Sequence, residues 1–193
     1  YDKYGQPLLT SSHMFRFSKK FIRNDLQHTI ELGRSFVTID YQSSKGGAKS
    51  IFALDNLFDG LGALMVMYKG RMKYFFGKMT IYRQYPTPAR EIIQVFLNKW
   101  FGAAKMRRVK LVKPARVKRP IKYMKVLKGL TFKEDYRNLK AFVSDFGVSI
   151  PPLVNSYMNL SPKMQYFGTG VNDEFGDIFD SGILIPFKYI TDD

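Results

Sequence analysis

The chain has 193 residues, with 31 lysines and arginines against 16 aspartates and glutamates and a formal net charge of +15. Its apolar content of 45% and aromatic content of 16% exclude a disordered polycation. The absence of cysteine excludes a disulfide scaffold, a thiolate zinc site and a cysteine nucleophile. No apolar run approaches the roughly 20 residues that a membrane-spanning helix needs.

The first half of the chain predicts a strand, a loop and a helix in succession. Residues 28–41 are rich in β-branched and aromatic side chains, which predicts a strand. Small residues at 42–48 predict a loop, and the apolar spacing over 49–68 predicts an amphipathic helix that Gly70 ends. Gly60 and Gly62 within that helix predict close packing against a sheet.

The second half continues with a strand at 72–82 and a helix at 89–100, which begins after two prolines and stops at Gly102. Thr131 and Glu134 form a capping box for a helix to about Phe146. The chain restarts at Pro151 and Pro152, and residues 182–190 predict a final strand. This alternation is typical of an α/β or α+β fold.

A basic band interrupts these elements. No acidic residue lies between Glu91 and Glu134, and the cations in that gap are Lys99, Lys105, Arg107, Arg108, Lys110, Lys113, Arg116, Lys118, Arg119, Lys122, Lys125 and Lys128. Interleaved valines and prolines favour an extended arm over a helix. Such a band indicates a polyanionic partner, namely nucleic acid, anionic lipid or an acidic protein, and the alternative is a solvated loop.

Two places carry candidate chemistry. The loop from Ser43 to Ala48 precedes a helix N-terminus, where free backbone N–H groups can hold a phosphate; the alternative is a tight turn. Glu31 and Arg34 are ionisable residues within the predicted strand, and a partly buried carboxylate is a candidate general base. A structural ion pair is the competing interpretation.

Other residues give weaker signals. His13 and His28 are the only histidines, and no serine or cysteine nucleophile motif accompanies them. Tyr82 and Tyr85 follow the second predicted strand and could place a hydroxyl near a reaction centre. The acidic residues near the C-terminus, Asp173, Glu174 and Asp177, lack the spacing of a ligand set, so no metal is assigned.

Several motifs resemble GNAT-type acyltransferases, in the branch of ornithine-lipid and glycine-lipid N-acyltransferases and relatives that carry a haemolysin label. Glu31, Arg34 and Val37 match the Glu-x-x-Arg-x-x-Val strand of acyl-homoserine-lactone synthases. The loop after this strand in GNAT folds reads Gln/Arg-x-x-Gly-x-Gly/Ala and holds the pantetheine phosphate. Gly46 and Ala48 match its fourth and sixth places, and Ser43 stands at its first.

The tail adds to the resemblance through Pro151-Pro152-Leu153, Tyr157, Leu160, Asp173-Glu174-Phe175 and Gly182-Ile183-Leu184-Ile185. Residues 159–162 depart from the Arg-Leu-Gly pattern of the ornithine branch, so the series is most similar to the Bacteroides-type glycine-lipid enzyme. The resemblance spans about residues 28–190 and omits the basic arm.

The resemblance implies a GNAT-like α/β (α+β) fold whose mixed central sheet is flanked by helices and whose first strands are missing from this chain. Residues 1–102 would form the core of the acyltransferase domain. Residues 103–130 would be a basic arm inserted into it, and residues 131–193 its C-terminal part.

The resemblance also implies a reaction, the transfer of a long acyl chain, with or without a 3-hydroxy group, from a thioester to the amine of glycine or ornithine in aminolipid biosynthesis. Glu31 would take the proton from the amine, Arg34 would hold Glu31 or the acceptor carboxylate, and Tyr82 would protonate the leaving thiolate. The donor would contact a set of loop and strand residues: Gly33, Ser35, Phe36, Ser43, Lys45, Gly46, Gly47 and Ala48.

No permanently bound cofactor is implied, and acyl carrier protein or acyl-CoA would be the co-substrate. The expected partners are acyl carrier protein, which is acidic, an amino-acid acceptor and an anionic membrane surface, but not nucleic acid. The expected location is the cytoplasm, with peripheral binding to the inner membrane. The competing hypotheses are a basic nucleic-acid-binding module and a membrane-active, haemolysin-like protein.

Overall fold

A mixed four-stranded sheet forms the centre of the protein. The computed structural model describes residues 1–33, 48–176 and 178–190, with residues 48–55 described as backbone only. The strands in chain order are β1 (Phe15–Phe17), β2 (Thr29–Glu31), β3 (Tyr74–Ile81), β4 (Val109–Leu111), β5 (Gln165–Asn172) and β6 (Ile178–Pro186). The main sheet has the order β2-β3-β6-β5, and only the β2–β3 pair is parallel. β1 and β4 pair separately, in an antiparallel ribbon.

Helices lie on both faces of this sheet. They are α1 (Lys19–Asn24), α2 (Ala48–Met67), α3 (Thr87–Phe101), α4 (Pro120–Val126), α5 (Phe132–Ser144) and α6 (Pro152–Leu160). The predicted capping box of α5 is confirmed, since the Thr131 hydroxyl accepts from the Glu134 N–H and the Glu134 side chain accepts from the Thr131 N–H. The predicted α/β fold with a mixed sheet flanked by helices is confirmed.

Successive side chains of β3 and β6 point to opposite faces of the sheet, so the apolar residues of these strands are divided between two cores. Phe75 and Ile183 belong to the larger core, which packs against α3, α5 and α6. Phe76 and Leu184 belong to the smaller core, which β1, β4 and α1 cover. The Phe15 ring lies so close to β6 that a Cβ at Gly182 would stand 2.5 Å from its edge, so only glycine fits there.

Long helices and strands agree with the sequence predictions, and short elements do not. The predicted strand at 28–41 is observed as β2 over Thr29–Glu31, and residues 34–41 lie outside the described residues. The predicted final strand begins earlier than expected, at Ile178, and ends at Pro186. The prediction that Gly60 and Gly62 pack closely on a sheet is wrong, because a Cβ at either glycine would meet nothing within 4 Å.

The basic segment 103–130 is folded against the rest of the protein. β4 pairs with β1, and α4 buries Tyr123 in the larger core. The Glu91 carboxylate of α3 accepts hydrogen bonds from the Tyr123 hydroxyl at 2.9 Å and the Lys118 N–H at 3.3 Å. The expectation of an extended arm is therefore wrong at 120–126, where Pro120 starts a helix because its missing N–H costs nothing at that position.

Candidate functional site

The described pairing of the parallel strands β2 and β3 reaches Phe76 of β3. The last backbone contact that is described between them is the Leu32 N–H donating to the Phe76 oxygen at 2.7 Å. β3 continues to Ile81, and residues 34–41, which follow β2 in the sequence, lie outside the described residues. The cleft between the Glu31 strand and the second strand therefore stays a prediction, and Glu31 and Gly33 lie where it would begin.

The Glu31 carboxylate is fixed by the backbone of the turn that precedes β1. One oxygen accepts from the Thr10 N–H at 3.0 Å, and the other accepts from the Ser11 N–H at 2.9 Å. Each carboxylate oxygen has a second lone pair, so the group can still accept a proton or bind a water. The structure thus gives Glu31 a fixed position at the end of β2, and its role as a base stays a prediction.

A polar cluster that the sequence analysis missed continues from this turn across the same face of the sheet. The His13 ring faces the Thr10 carbonyl at 2.9 Å and the Asn172 side-chain oxygen at 3.2 Å. Asn172 donates to Asp180 at 2.8 Å. Lys78 and Thr80 of β3 also donate to Asp180, at 2.9 Å and 2.6 Å. The sequence signal for this cluster was a lysine and an aspartate, each within an otherwise apolar strand. The aspartate was not recognised as part of a strand because the predicted final strand began after Asp180.

The two tyrosines after β3 have different environments. The Tyr82 side chain is 67% exposed, which leaves it accessible to a ligand. The Tyr85 hydroxyl donates to the Ser149 carbonyl at 2.9 Å, and burial raises the pKa of Tyr85 to about 12. Tyr85 is therefore a structural residue that joins two segments of chain, and Tyr82 remains the candidate proton donor.

Arg34 and most of the residues predicted to contact the donor lie outside the described residues. Those donor-contacting residues are Ser35, Phe36, Ser43, Lys45, Gly46 and Gly47, and Ala48 is described as backbone only. Helix α2 is described from Ala48 onward, and the predicted loop before it lies outside the described residues. The role of this loop in holding a phosphate stays a prediction.

An open apolar groove of about 810 Å³ lies beside the C-terminal half of α2. Its walls include Phe58, Leu61, Met65, Met72, Leu160 and Phe187. Met72 precedes β3 and Phe187 follows β6, so the groove lies at the end of the sheet opposite to the cleft. It shares no residue with the Glu31 turn or with the polar cluster.

Not every cation of the basic band between Glu91 and Glu134 is free for a partner. Lys99 donates to Asp135 at 2.5 Å and to the carbonyls of Leu127 and Gly129, and Lys113 pairs with Asp173. By contrast, α4 presents the exposed cations Lys122 and Lys125 beside apolar side chains. Ile121 is 74% exposed and Met124 is 44% exposed. This helix surface combines positive charge with apolar contacts.

Metal and membrane features were also sought. Within residues 1–33, 48–176 and 178–190, no group of histidine, aspartate and glutamate side chains is arranged to hold a metal ion. None of the helices in that part of the chain is both long and apolar enough to cross a bilayer.

Comparison with known proteins gives two close relatives. The chain aligns over its whole length, at 49% identity, with the glycine N(alpha)-acyltransferases of Phocaeicola vulgatus and Bacteroides thetaiotaomicron. It spans 59% of the first relative and 57% of the second. No family model and no solved structure matches. The resemblance to the Bacteroides-type glycine acyltransferases is confirmed as homology.

Proposed function

Because the whole chain is homologous to part of two glycine N-acyltransferases, we propose that it carries out N-acylation of an amino acid, with glycine as the acceptor. The observation that carries this proposal is the 49% identity along the full chain. The fixed position of the Glu31 carboxylate supports it, because two backbone N–H groups hold a proton acceptor at the end of β2.

The acyl thioester would lie in the predicted cleft between β2 and β3. Backbone N–H groups from Gly33 to Phe36 would polarise its carbonyl oxygen, since preorganised donors stabilise the charge that develops there. The phosphate of the donor arm would bind the Ser43–Ala48 loop at the start of α2, where N–H groups and the helix dipole favour an anion.

The reaction needs one proton acceptor and one proton donor. The free amine attacks the thioester carbon, a C–N bond forms and the C–S bond breaks. Glu31, directly or through a water, would take the proton that the amine loses. Tyr82, exposed after β3, would give a proton to the leaving thiolate. Arg34 would orient Glu31 or the acceptor.

The α4 surface supports an acidic carrier as the source of the acyl chain. Acyl carrier protein is acidic, and complementary charge speeds association and fixes orientation. The exposed Ile121 and Met124 would add apolar contacts. The proposed acyl chain is long, with or without a 3-hydroxy group, and the product would be an aminolipid. The proposed location is the cytoplasm, peripheral to an anionic inner membrane, and no permanent cofactor is proposed.

The test is thiol release from long-chain acyl carrier protein and from acyl-CoA, with glycine, ornithine, serine and lysine as acceptors. Any natural sequence that flanks this chain is kept in the purified protein. Mass spectrometry of the product should show N-acylglycine, with faster release from the carrier protein than from CoA. Failure to release thiol with every acceptor, together with failure to bind the carrier protein, would contradict the proposal.

A further inference from the structure

The β1–β4 ribbon and α1 form one layer over the same face of the sheet. Phe17 of β1 packs against Phe76 of β3, with the ring centres 5.2 Å apart, and it stacks on Phe21 of α1 at 5.5 Å. All three rings are buried in the smaller core, so the ribbon and α1 turn their apolar side chains toward the sheet. The exposed side chains of these elements therefore form the outer side of the layer.

The outer side of this layer is basic. Along the ribbon, Arg16 and Lys110 alternate with buried residues and lie opposite each other in the register. The turn at 104–107 joins the same surface, because the Arg108 oxygen accepts from the Ser18 N–H at 2.9 Å, next to the start of α1. We call this the ribbon surface and define it by its exposed cations: Arg16, Lys19, Lys20, Arg23, Lys105, Arg107 and Lys110.

The segments that build the ribbon surface carry no negative side chain. Residues 3–24 and 104–112, all of which the structure describes, contain neither aspartate nor glutamate. Asp25 follows the first segment, is 17% exposed and lies 3.9 Å from the Arg108 guanidinium, so its charge is opposed by a cation outside the set. At the other end of the ribbon, Lys113 pairs with Asp173, and the basic surface ends there.

Three features of the ribbon surface oppose local stability. Lys19 and Lys20 lie in the first turn of α1, where the helix dipole favours anions, and that turn has no acidic residue. Arg16 and Lys110 are cross-strand neighbours, and like charges repel in such pairs. Arg107 has a φ of 51°, in the left-handed region that disfavours side chains other than asparagine and aspartate. Several local rules broken on one surface indicate a function there.

A bilayer that contains anionic lipid fits this surface best among polyanionic partners. About 4–8 lysines and arginines together are sufficient to bind anionic headgroups. Met106 adds an apolar side chain that is 56% exposed between Lys105 and Arg107. Such a side chain can enter the boundary between headgroups and acyl chains. The phosphates of a nucleic acid would meet the same cations but would offer nothing to the methionine.

We propose that the ribbon surface docks the protein on an anionic lipid bilayer, with its cations over the headgroups and Met106 between them. This inference rests on the proposed function, because it names the surface that would bring the enzyme to the membrane in which a long-chain product partitions. Helix α4 packs in the larger core, on the other face of the sheet. The carrier protein could therefore bind α4 while the ribbon surface lies on the bilayer.

Co-sedimentation with vesicles tests the inference, on the purified protein with any natural flanking sequence kept. The probe is vesicles of equal parts phosphatidylglycerol and phosphatidylcholine, compared with vesicles of phosphatidylcholine alone. The protein should bind the anionic vesicles and lose most of this binding in about 1 M salt, which screens charges beyond about 3 Å. No binding to anionic vesicles, or equal binding to both kinds, would overturn the inference. Vesicle binding needs no turnover, so thiol release in the acylation assay tests the proposed function separately.

A triple variant of α1 removes cations from the ribbon surface: Lys19→Gln, Lys20→Gln and Arg23→Gln. Its partition coefficient on anionic vesicles should fall about 100-fold. A matched control makes the same change in charge on exposed positions of α5, which packs on the other face of the sheet. The control substitutions are Lys133→Gln, Arg137→Gln and Lys140→Gln. The control should bind vesicles within about twofold of the unaltered protein, because screening confines the effect of each charge to its own surface. Equal falls in the two triple variants would overturn the inference.

Two variants of the turn keep the test valid if the α1 variant does not fold. Lys105→Gln with Arg107→Asn removes two cations, and asparagine tolerates the left-handed backbone at that position. This variant should lower vesicle binding about 30-fold. Met106→Ser should lower vesicle binding about 3- to 10-fold and leave binding to a duplex DNA unchanged.

The other polyanionic partners predict different results. Loss of duplex-DNA binding in the charge variants, with no effect of Met106→Ser on vesicles, would assign the ribbon surface to nucleic acid and overturn the inference. A raised KM for acyl carrier protein in the α1 variant, with unchanged vesicle binding, would assign it to the carrier and overturn the inference as well.

Discussion

At the scale of single residues, two carboxylates have their positions fixed by different means. Both oxygens of Glu31 accept backbone N–H groups from the Thr10–Ser11 turn. Asp135 is fully buried and accepts from the Lys99 ammonium, the Trp100 indole and the Gly129 N–H. The first carboxylate lies at the end of β2, beside the predicted cleft, and is a candidate for chemistry. The second joins α3, α5 and the end of the basic segment, and its role is structural.

Replacing Glu31 by Gln should reduce kcat for glycine about 100-fold or more, since an amide cannot take the proton that the amine loses. The amide N–H₂ would face one of the two backbone donors, so the free energy of unfolding should fall by only about 1 kcal/mol. Steady-state rates and urea unfolding measure the two effects. Asp145→Asn, an exposed carboxylate at the end of α5, is the control and should change neither. An unchanged kcat would remove Glu31 as the base.

Replacing Lys99 by Met should lower the free energy of unfolding by about 3 kcal/mol, because it leaves the buried Asp135 carboxylate without its cation. The urea midpoint measures this change. Lys128→Met, in the same basic segment but exposed, should shift stability by about 0.5 kcal/mol or less. Equal effects of the two substitutions would contradict the structural assignment of Lys99.

At the scale of elements, the sequence predicted what depends on local pattern. Helices α2, α3 and α5 have long apolar stripes and local start signals, and each begins within two residues of its expected position. β1 is only three residues long, and its partner β4 is distant in sequence, so nothing local distinguishes it. β5 carries Gly168 and Gly170, which lower its β propensity. The polar cluster was missed because Lys78 and Asp180 lie far apart in the sequence and meet only through strand pairing.

The α4 surface predicts a carrier-specific effect. Lys122→Glu with Lys125→Glu should raise KM for acyl carrier protein about tenfold and leave KM unchanged for a carrier-free thioester such as acyl-pantetheine. Rates with the two donors measure the difference. Lys133→Glu with Lys140→Glu makes the same change in charge on exposed positions of α5 and should leave both KM values unchanged. A rise in KM for the carrier-free thioester would argue that α4 does not contact the carrier.

At the scale of the whole molecule, buried phenols make the fold sensitive to alkali. Burial raises the pKa of Tyr85 and Tyr157 to about 12 each, and the pKa of Tyr123 rises to about 12 through burial and its hydrogen bond to Glu91. The folded protein thus favours the neutral phenols. Their contribution to stability is complete below pH 10, the ordinary pKa, and is lost as the pH rises toward 12.

The melting temperature should therefore fall between pH 10 and pH 12, over the interval between the ordinary and the raised pKa values. Thermal unfolding in steps of half a pH unit measures this slope. Tyr157→Phe removes one of these phenols and should make the decline shallower. The same steepness in Tyr157→Phe and in the unaltered protein would show that other groups cause the decline.

The antiparallel ribbon of β1 and β4 has a consequence for synthesis on the ribosome. Phe15 and Leu111 are paired although more than ninety residues separate them, and Lys78 lies 102 residues before Asp180. At about 5–20 residues per second, β4 is made several seconds or more after β1. The turn that holds Glu31 leads directly into β1, and β1 has no strand partner until β4 has been made. A nascent chain therefore cannot hold Glu31 in its final position before β4 has been made, nor Lys78 before Asp180 has been made.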